Sequence, residues 1–284
     1  MNRLSDIGTI KEILSRYGFN FSKGLGQNFL INPSVCPRMA ELSGAGKGVG
    51  VIEIGPGIGV LTRELCEISY KVVAVEIDKR LIPVLDETLA DFDNIKVIND
   101  DVMKLDLKKL IEDEFEGMKV VVCANLPYYI TSPVIMKLLE DKLPVEAITV
   151  MVQKEAAQRI CAEVGSRESG AVTVSVNYYS KPEMLFTVSS GSFMPAPKVD
   201  SAVMRLDVYK EPPIKLDDDK KFFTVVKAAF SQRRKTVLNS ISSSLGLEKN
   251  VVNGILLDSG VDPRSRAEKL TMEDFAEISR RIEI

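Results

Sequence analysis

The chain has 284 residues, which is enough for one large domain or for a domain with a smaller appendage. Hydrophobic residues make up 45% and charged residues 27%, and the net charge is −3, so any nucleic-acid partner would need a local basic face. The sequence contains no histidine, which excludes Ser-His-Asp and Cys-His catalysis and the His-Glu-x-x-His zinc site.

The cysteines and the N-terminus indicate the compartment. The four cysteines include no Cys-x-x-Cys pair, which favours reduced thiols over a disulfide framework or a metal site. The first residues carry charges throughout, unlike a signal peptide, and no apolar run approaches the roughly 18 residues of a membrane-spanning helix. The sequence therefore predicts a soluble, cytoplasmic protein that binds no membrane and no metal.

The predicted elements begin with helical segments over residues 1–50, broken by glycine-rich turns. From Val49 onward, short apolar runs alternate with helical periods, a pattern typical of βαβ units with a parallel sheet. The predicted strands are residues 49–54, 71–77, 95–98, 119–124, 147–152, 172–179 and 201–208, and the predicted helices between them are 60–69, 80–89, 133–139 and 154–163.

The stretch Glu211-Pro212-Pro213 interrupts this alternation. After it the sequence shows only helical periods, at residues 220–231, 235–244, 251–258 and 272–281. We therefore predict an α/β domain over residues 1–209 and a helical domain over residues 210–284.

A glycine-rich turn, Gly55-Pro56-Gly57-Ile58-Gly59, follows the first predicted strand. Glycines at Gly55 and Gly57 let the backbone turn tightly and approach a ligand, while the Gly-x-Gly-x-Gly spacing differs from the NAD fingerprint. Glu76 ends the second predicted strand, where a carboxylate accepts hydrogen bonds from both ribose hydroxyls of a nucleoside. The alternative is a structural turn with a surface carboxylate.

Asp101 lies just after the third predicted strand and is a candidate for binding an adenine amino group, although an aspartate considered alone in such a position is more often a helix N-cap. Together with Gly55 and Glu76, it predicts a nucleoside lying across the tips of three strands. S-adenosylmethionine fits such a site because it contains adenosine and no phosphate.

The fourth predicted strand ends in Asn125-Leu126-Pro127-Tyr128. An exocyclic amino nitrogen is a poor nucleophile because its lone pair is delocalised into the ring. The Asn125 amide oxygen and a carbonyl of Leu126 or Pro127 are placed to accept its two hydrogens, and Tyr128 to stack on a base that has left its helix. This order of residues predicts methylation of an amino group on a base.

These motifs resemble those of the ribosomal-RNA adenine dimethyltransferase family, in particular the bacterial small-subunit branch. The resemblance implies a Rossmann-like, S-adenosylmethionine-dependent methyltransferase domain followed by a small helical domain. The similar stretches are Gly26-Gln27-Asn28-Phe29-Leu30, Glu53-Ile54-Gly55-Pro56-Gly57, Asn125-Leu126-Pro127-Tyr128, Gln153-Lys154-Glu155, Phe193-Met194-Pro195-Ala196-Pro197-Lys198-Val199-Asp200-Ser201-Ala202, Phe230-Ser231-Gln232-Arg233-Arg234-Lys235-Thr236, and in the tail Gly260-Val261-Asp262-Pro263 and Arg266-Ala267-Glu268.

The resemblance also implies roles for individual residues. The implied cofactor contacts are Asn28, Leu30, Gly55, Gly57, Glu76, Asp101 and Asn125. Phe193 would sandwich the target adenine with Tyr128, although without the family a buried loop anchor explains Phe193 equally well. The implied substrate is 16S rRNA within the small ribosomal subunit or its precursor, in which a monomeric enzyme dimethylates two adjacent adenosines near the 3′ end during assembly.

Five basic residues are candidate contacts to RNA phosphates, with solvated surface charge as the alternative for each: Arg159, Lys198, Arg233, Arg234 and Lys235. Two other functions stay open. One is a 23S rRNA adenine methyltransferase of the antibiotic-resistance type, and the other is a ribosome-assembly factor that keeps the fold without catalysis. An NAD-dependent dehydrogenase is disfavoured by the glycine spacing.

Overall fold

The computed structural model describes residues 3–19 and 28–284, so Gly26 and Gln27 of the first family motif lie outside the described residues. The strands, in chain order, are β1 (Phe29–Leu30), β2 (Val49–Ile54), β3 (Lys71–Glu76), β4 (Ile95–Asn99), β5 (Lys119–Asn125), β6 (Ala147–Gln153), β7 (Ser180–Val188), β8 (Phe193–Met194) and β9 (Ser201–Val208). The helices are α1 (Ile7–Arg16), α2 (Val35–Leu42), α3 (Val60–Ile68), α4 (Ile82–Thr88), α5 (Leu107–Phe115), α6 (Thr131–Glu140), α7 (Lys154–Ile160), α8 (Ala171–Tyr179), α9 (Asp219–Phe230), α10 (Val237–Leu245), α11 (Lys249–Asp258) and α12 (Met272–Arg281).

The chain forms two compact units. The first contains the residues up to Ala157 together with Glu183–Val208, and the second contains Gln158–Pro182 together with Tyr209–Ile284. The predicted division after residue 209 coincides with the start of the C-terminal part to within one residue. The difference is residues 158–182, which the prediction placed in the α/β domain and the structure groups with the C-terminal helices.

A seven-stranded sheet organises the first unit, with the strand order β4-β3-β2-β5-β6-β9-β7. The pairs β3–β4, β2–β3, β2–β5 and β5–β6 are parallel, whereas β6 and β9 are antiparallel. The predicted α/β architecture with a parallel sheet is confirmed. The connection after β2 leads to β3 on one side, and the connection after β5 leads to β6 on the other side. The carboxyl ends of β2 and β5 therefore flank a topological switch point, where open α/β sheets bind their ligands.

The central strands are almost continuously apolar because helices cover both faces of the sheet. Val51, Ile52, Val73 and Val122 are completely inaccessible to solvent. Gly50 and Glu53 are the exceptions in β2. The lack of a side chain at Gly50 has a packing reason: a Cβ at this position would lie 2.2 Å from the ring of Phe115. The glycine therefore lets the end of α5 pack directly on the sheet.

The prediction of a strand over residues 172–179 is wrong, because this segment forms the helix α8. Alternating valines favour a strand locally, but the segment packs on α9 in the core of the second unit. The Tyr178 ring lies 5.7 Å from Phe222 and 5.4 Å from Phe223 between centroids, and Tyr179 stacks on Phe223. Burial of these rings outweighs the low helix propensity of β-branched residues.

Two of the C-terminal helices, α9 and α10, begin at polar side-chain caps. Asp218 accepts from the Lys221 N–H at the start of α9, and Thr236 accepts from the Asn239 N–H at the start of α10. Within the described ranges, no helix is both long and apolar enough to cross a membrane.

Candidate active site

A cleft of about 300 Å³ lies at the carboxyl ends of β2–β5 in the first unit. It is lined by every residue that the motifs and the family resemblance assigned to the cofactor or to catalysis: Asn28, Leu30, Gly55, Gly57, Glu76, Asp101, Asn125, Leu126, Pro127, Tyr128 and Phe193. Residues that are separated by up to 165 positions in the chain thus converge on one site.

The glycine-rich turn between β2 and α3 forms one wall of the cleft. Gly55 and Gly57 have φ angles of 71° and 61°, in the left-handed region that other residues avoid. The Gly55 N–H donates to the Val75 carbonyl at 2.9 Å, which ties the turn to β3. The backbone of the turn therefore approaches the cleft with no side chain between it and a ligand.

Glu76 ends β3 and is buried, with only 4% of its surface exposed. Its Oε1 accepts from the Asp78 N–H at 2.7 Å and its Oε2 from the Gly57 N–H at 3.3 Å. Burial raises the pKa of the carboxyl, while these amide donors oppose the shift. Each carboxylate oxygen keeps a further lone pair, so the group is fixed in place and still able to accept from a ligand hydroxyl.

Asp101 lies two residues after β4, which ends at Asn99, one residue beyond the predicted strand over residues 95–98. Its Oδ1 accepts from the Met103 N–H at 3.0 Å, and its Oδ2 lies 3.7 Å from Lys104 Nζ. The carboxylate closes a turn and also lines the cleft. It is not a helix N-cap, because the next helix, α5, has Asp106 as its N-cap.

The N-terminal segment reaches the cleft through a two-stranded pairing of β1 with β8. In this antiparallel register Leu30 lies opposite Phe193, and the Ile31 N–H donates to the Ser192 carbonyl at 2.8 Å. Phe193 is buried, with 4% exposure, and still lines the cleft. Neither β-strand is long enough for sequence periodicity to reveal it.

Asn125 ends β5, beside Met151 of β6. The Leu126 N–H donates to the Met151 carbonyl at 3.2 Å, which fixes the chain as it leaves the sheet. The Asn125 side-chain amide forms no hydrogen bond with any residue in the described ranges. A free amide oxygen at the strand tip is what an acceptor for a ligand amino group requires.

The two backbone carbonyls after Asn125 differ in their partners. The Pro127 carbonyl accepts from the Ile130 N–H at 3.1 Å and from the Thr131 hydroxyl at 3.4 Å. No donor within the described part of the chain reaches the Leu126 carbonyl. Of the two acceptors that the sequence left open, the Leu126 carbonyl is the one still available to a ligand.

Tyr128 is half-buried at the start of a short 3₁₀ helix. Its hydroxyl lies 2.8 Å from Ser201 Oγ, and burial raises the pKa of the phenol. The hydroxyl is thus engaged with β9, which holds the ring in the wall of the cleft.

Glu53 was not predicted as a site residue, yet it is buried in the cleft wall with 1% exposure. Its Oε2 has no hydrogen-bond partner among residues 3–19 and 28–284. The pKa of this carboxyl is raised to about 8, mainly by burial; Thr62 opposes the shift, and the negative charge of Glu76 adds to it. The signal in the sequence was an acidic residue inside an otherwise apolar strand.

We expect Glu53 to make the protein less stable as the pH rises. Between the ordinary carboxyl pKa of 4.5 and about 8, the folded chain keeps a proton that the unfolded chain releases, so the free energy of unfolding falls with pH in this range. Glu53→Gln stays neutral. The free energy of unfolding of Glu53→Gln minus that of the parent should therefore be larger at pH 8 than at pH 5, by about 1 kcal/mol or more, in urea titrations.

The matched control for this change is Glu140→Gln, which alters an exposed carboxyl in α6. It should shift stability equally at both pH values. A Glu53→Gln difference that is the same at pH 5 and pH 8 would contradict a buried, protonated carboxyl.

The five predicted RNA contacts are all exposed. Lys198 belongs to the first unit, while Arg159, Arg233, Arg234 and Lys235 belong to the second. None of them forms an ion pair with a described residue, in contrast to Arg264, Arg280 and Arg281 in the same helical unit. Unpaired cations on a surface remain available to an anionic partner.

In the described ranges, no cluster of three or more Cys, Asp or Glu side chains has the arrangement of a metal site.

Comparison with protein families gives a match over residues 18–283 to a family described as "Ribosomal RNA adenine dimethylase". Curated relatives named "Ribosomal RNA small subunit methyltransferase A" cover nearly the whole chain. The protein from Geobacillus sp. strain WCH70 is 46% identical over 97% of this chain and 96% of its own length, and that from Geobacillus thermodenitrificans is 48% identical over 96% and 94%.

Two solved structures are similar in fold. A dimethyladenosine transferase from Plasmodium falciparum has a TM-score of 0.71 and 26% identity, covering 88% of this chain and 95% of that one. The 23S rRNA methyltransferase ErmE has a TM-score of 0.67 and 27% identity, covering 89% and 99%. The similarity therefore extends over both units of this chain.

Proposed function

The chain belongs to the ribosomal RNA adenine dimethylase family, and we propose that it dimethylates the amino groups of two adjacent adenosines near the 3′ end of 16S rRNA. The curated relatives at 46–48% identity bear small-subunit names, whereas ErmE is 27% identical. This difference favours the small subunit over the 23S alternative. The proposal includes a monomeric protein that acts in the cytoplasm, where small subunits or their precursors are assembled.

The family and the fold are those of S-adenosylmethionine-dependent methyltransferases, and the cleft fits that donor. The glycine turn, the buried Glu76 carboxylate and Asp101 would hold the adenosine, with Asn28 and Leu30 covering it from the β1 side. When bound, S-adenosylmethionine supplies an electrophilic methyl carbon on its sulfonium. The protein therefore has to position the adenine amino group and keep its nitrogen nucleophilic.

The observation that carries this mechanism is the pair of unoccupied acceptors at the tip of β5. The Asn125 amide oxygen and the Leu126 carbonyl would accept the two hydrogens of the amino group, which favours a pyramidal nitrogen with its lone pair directed at the methyl carbon. Tyr128 and Phe193 would hold the two faces of the extruded ring. No histidine or metal ligand is needed for these steps.

Primer extension on both ribosomal RNAs tests the choice of substrate. The protein and S-adenosylmethionine would be incubated with small-subunit and large-subunit particles that lack the adenine modifications. We expect new stops at two adjacent adenosines near the 3′ end of 16S rRNA and none on 23S rRNA. Stops on 23S rRNA alone would favour the antibiotic-resistance type, and no stops on either would favour the non-catalytic assembly factor.

We expect the adjacent cations Arg233 and Arg234 to contribute to binding of the ribosomal particle. Arg233→Glu combined with Arg234→Glu should weaken particle binding and reduce the magnitude of its salt dependence by roughly 0.9 for each phosphate that is no longer neutralised. Cofactor affinity should not change, because neither residue lines the cleft.

The matched control reverses two adjacent exposed lysines with the same change in net charge, Lys108→Glu with Lys109→Glu on α5. Filter binding at several salt concentrations gives the slopes. Equal slopes for the arginine double variant and this control would mean that Arg233 and Arg234 are solvated surface charges and do not contact RNA phosphates.

A further inference from the structure

Three exposed apolar side chains stand at the rim of the cleft: Ile77, Met103 and Tyr129, with exposures of 54%, 38% and 57%. Apolar side chains that gather at the mouth of a cleft mark a surface that a ligand covers. Ile77 follows Glu76 and Met103 follows the Asp101 turn, so both flank the end of the cleft assigned to the cofactor. Tyr129 follows Tyr128 and flanks the end assigned to the target base.

The two consecutive tyrosines differ in how they are held. Tyr128 is half-buried and its hydroxyl contacts Ser201 Oγ at 2.8 Å. Tyr129 is exposed, and its hydroxyl forms no hydrogen bond with any residue that the structure describes. Both belong to one 3₁₀ helix, in which successive side chains diverge by about 120°. One ring is therefore fixed in the wall while the next is presented at the mouth.

A base that enters such a cleft leaves its neighbour in the strand without a stacking partner on one face. An exposed aromatic ring at the mouth offers a replacement surface, and stacking of this kind tolerates any base because every base has a π-face. The tyrosine hydroxyl has no part in this interaction, so phenylalanine would serve equally well.

We propose that Tyr129 stacks on the base next to the adenosine that occupies the cleft. This inference rests on the proposed function, in which the two target adenosines are adjacent. While one adenosine is being methylated, Tyr129 holds the nucleotide beside it, and so it is a positioning residue for the RNA. Its removal should affect recognition of the particle more than transfer of the methyl group.

The test compares Tyr129→Ala, Tyr129→Phe and the control Tyr70→Ala in methylation of unmodified small-subunit particles. Tyr70 is 62% exposed and precedes β3, at the edge of the sheet opposite the cleft. Tyr129→Ala should raise KM for the particle about tenfold with little change in kcat. Tyr129→Phe and Tyr70→Ala should keep the parental KM, and calorimetry should give all variants the parental Kd for S-adenosylmethionine.

A parental KM for Tyr129→Ala, with the cofactor Kd intact, would overturn the inference. So would a Tyr129→Phe variant as impaired as Tyr129→Ala, because the hydroxyl rather than the ring face would then be responsible. The parental enzyme separates this result from failure of the proposed function: if it methylates the two adenosines and only the Tyr129 effect is missing, the proposed function stands.

Discussion

Asn125→Ala should lower the rate of methyl transfer to the small-subunit particle about 100-fold, because loss of one aligned acceptor in a transition state costs on the order of 3 kcal/mol. The residue ends β5 in the cleft, and its side-chain amide has no partner among the described residues. Its removal therefore breaks no internal hydrogen bond that would otherwise explain a fall in activity.

The rate should be measured in single turnovers with saturating S-adenosylmethionine and excess enzyme, so that binding and product release do not contribute. Asn250→Ala, which changes an exposed asparagine in α11, is the control and should keep the parental rate. A near-normal rate for Asn125→Ala would mean that the tetrapeptide Asn125–Tyr128 is structural and that the proposed acceptor pair is wrong.

Glu76→Ala should weaken binding of S-adenosylmethionine at least tenfold. Hydrogen bonds to a charged acceptor contribute roughly 1.5–3 kcal/mol each, and two ribose hydroxyls are expected to donate to this carboxylate. The substitution also removes the acceptor of the Gly57 and Asp78 N–H groups, so the turn is less firmly tied to β3 at the same time.

Calorimetric titration with S-adenosylmethionine measures this weakening, and thermal unfolding of the same sample establishes whether the fold survives. Glu76→Gln keeps an oxygen acceptor without the charge and should fall between the parent and Glu76→Ala. A folded Glu76→Ala variant with the parental Kd would remove Glu76 from the cofactor site.

The central strands could be predicted from the sequence because parallel strands that are covered on both faces are uniformly apolar. The runs that form β2, β3, β5 and β6 lie within one or two residues of their predicted bounds. The glycine-rich turn could also be predicted from the sequence, because Gly55 and Gly57 adopt left-handed φ angles that favour glycine.

Other features depend on contacts between distant segments. Residues 172–179 have the alternation of a strand but form α8, whose Tyr178 packs on Phe222 and Phe223 in the core of the second unit. β1 and β8 are two residues each, and their pairing brings Leu30 opposite Phe193 across 163 positions. No periodicity in a two-residue strand can reveal such a pair, so only the family resemblance pointed to it.

The residues that line the cleft could be predicted from the sequence to different extents. The positions of Asn125 and Glu76 in the cleft could be predicted because each ends an apolar strand with a polar side chain, at the edge where parallel strands bind ligands. The choice between the Leu126 and Pro127 carbonyls required the structure, since it depends on the Ile130 N–H and the Thr131 hydroxyl that occupy Pro127.

The most direct measurement is incubation of the protein with methyl-labelled S-adenosylmethionine and small-subunit particles that lack the modification, followed by digestion and identification of the labelled nucleoside. We predict that the label appears in N6,N6-dimethyladenosine and maps to two adjacent positions near the 3′ end of 16S rRNA. Label in a different nucleoside, or no label in the 16S rRNA of a particle that the protein binds, would contradict the proposed function.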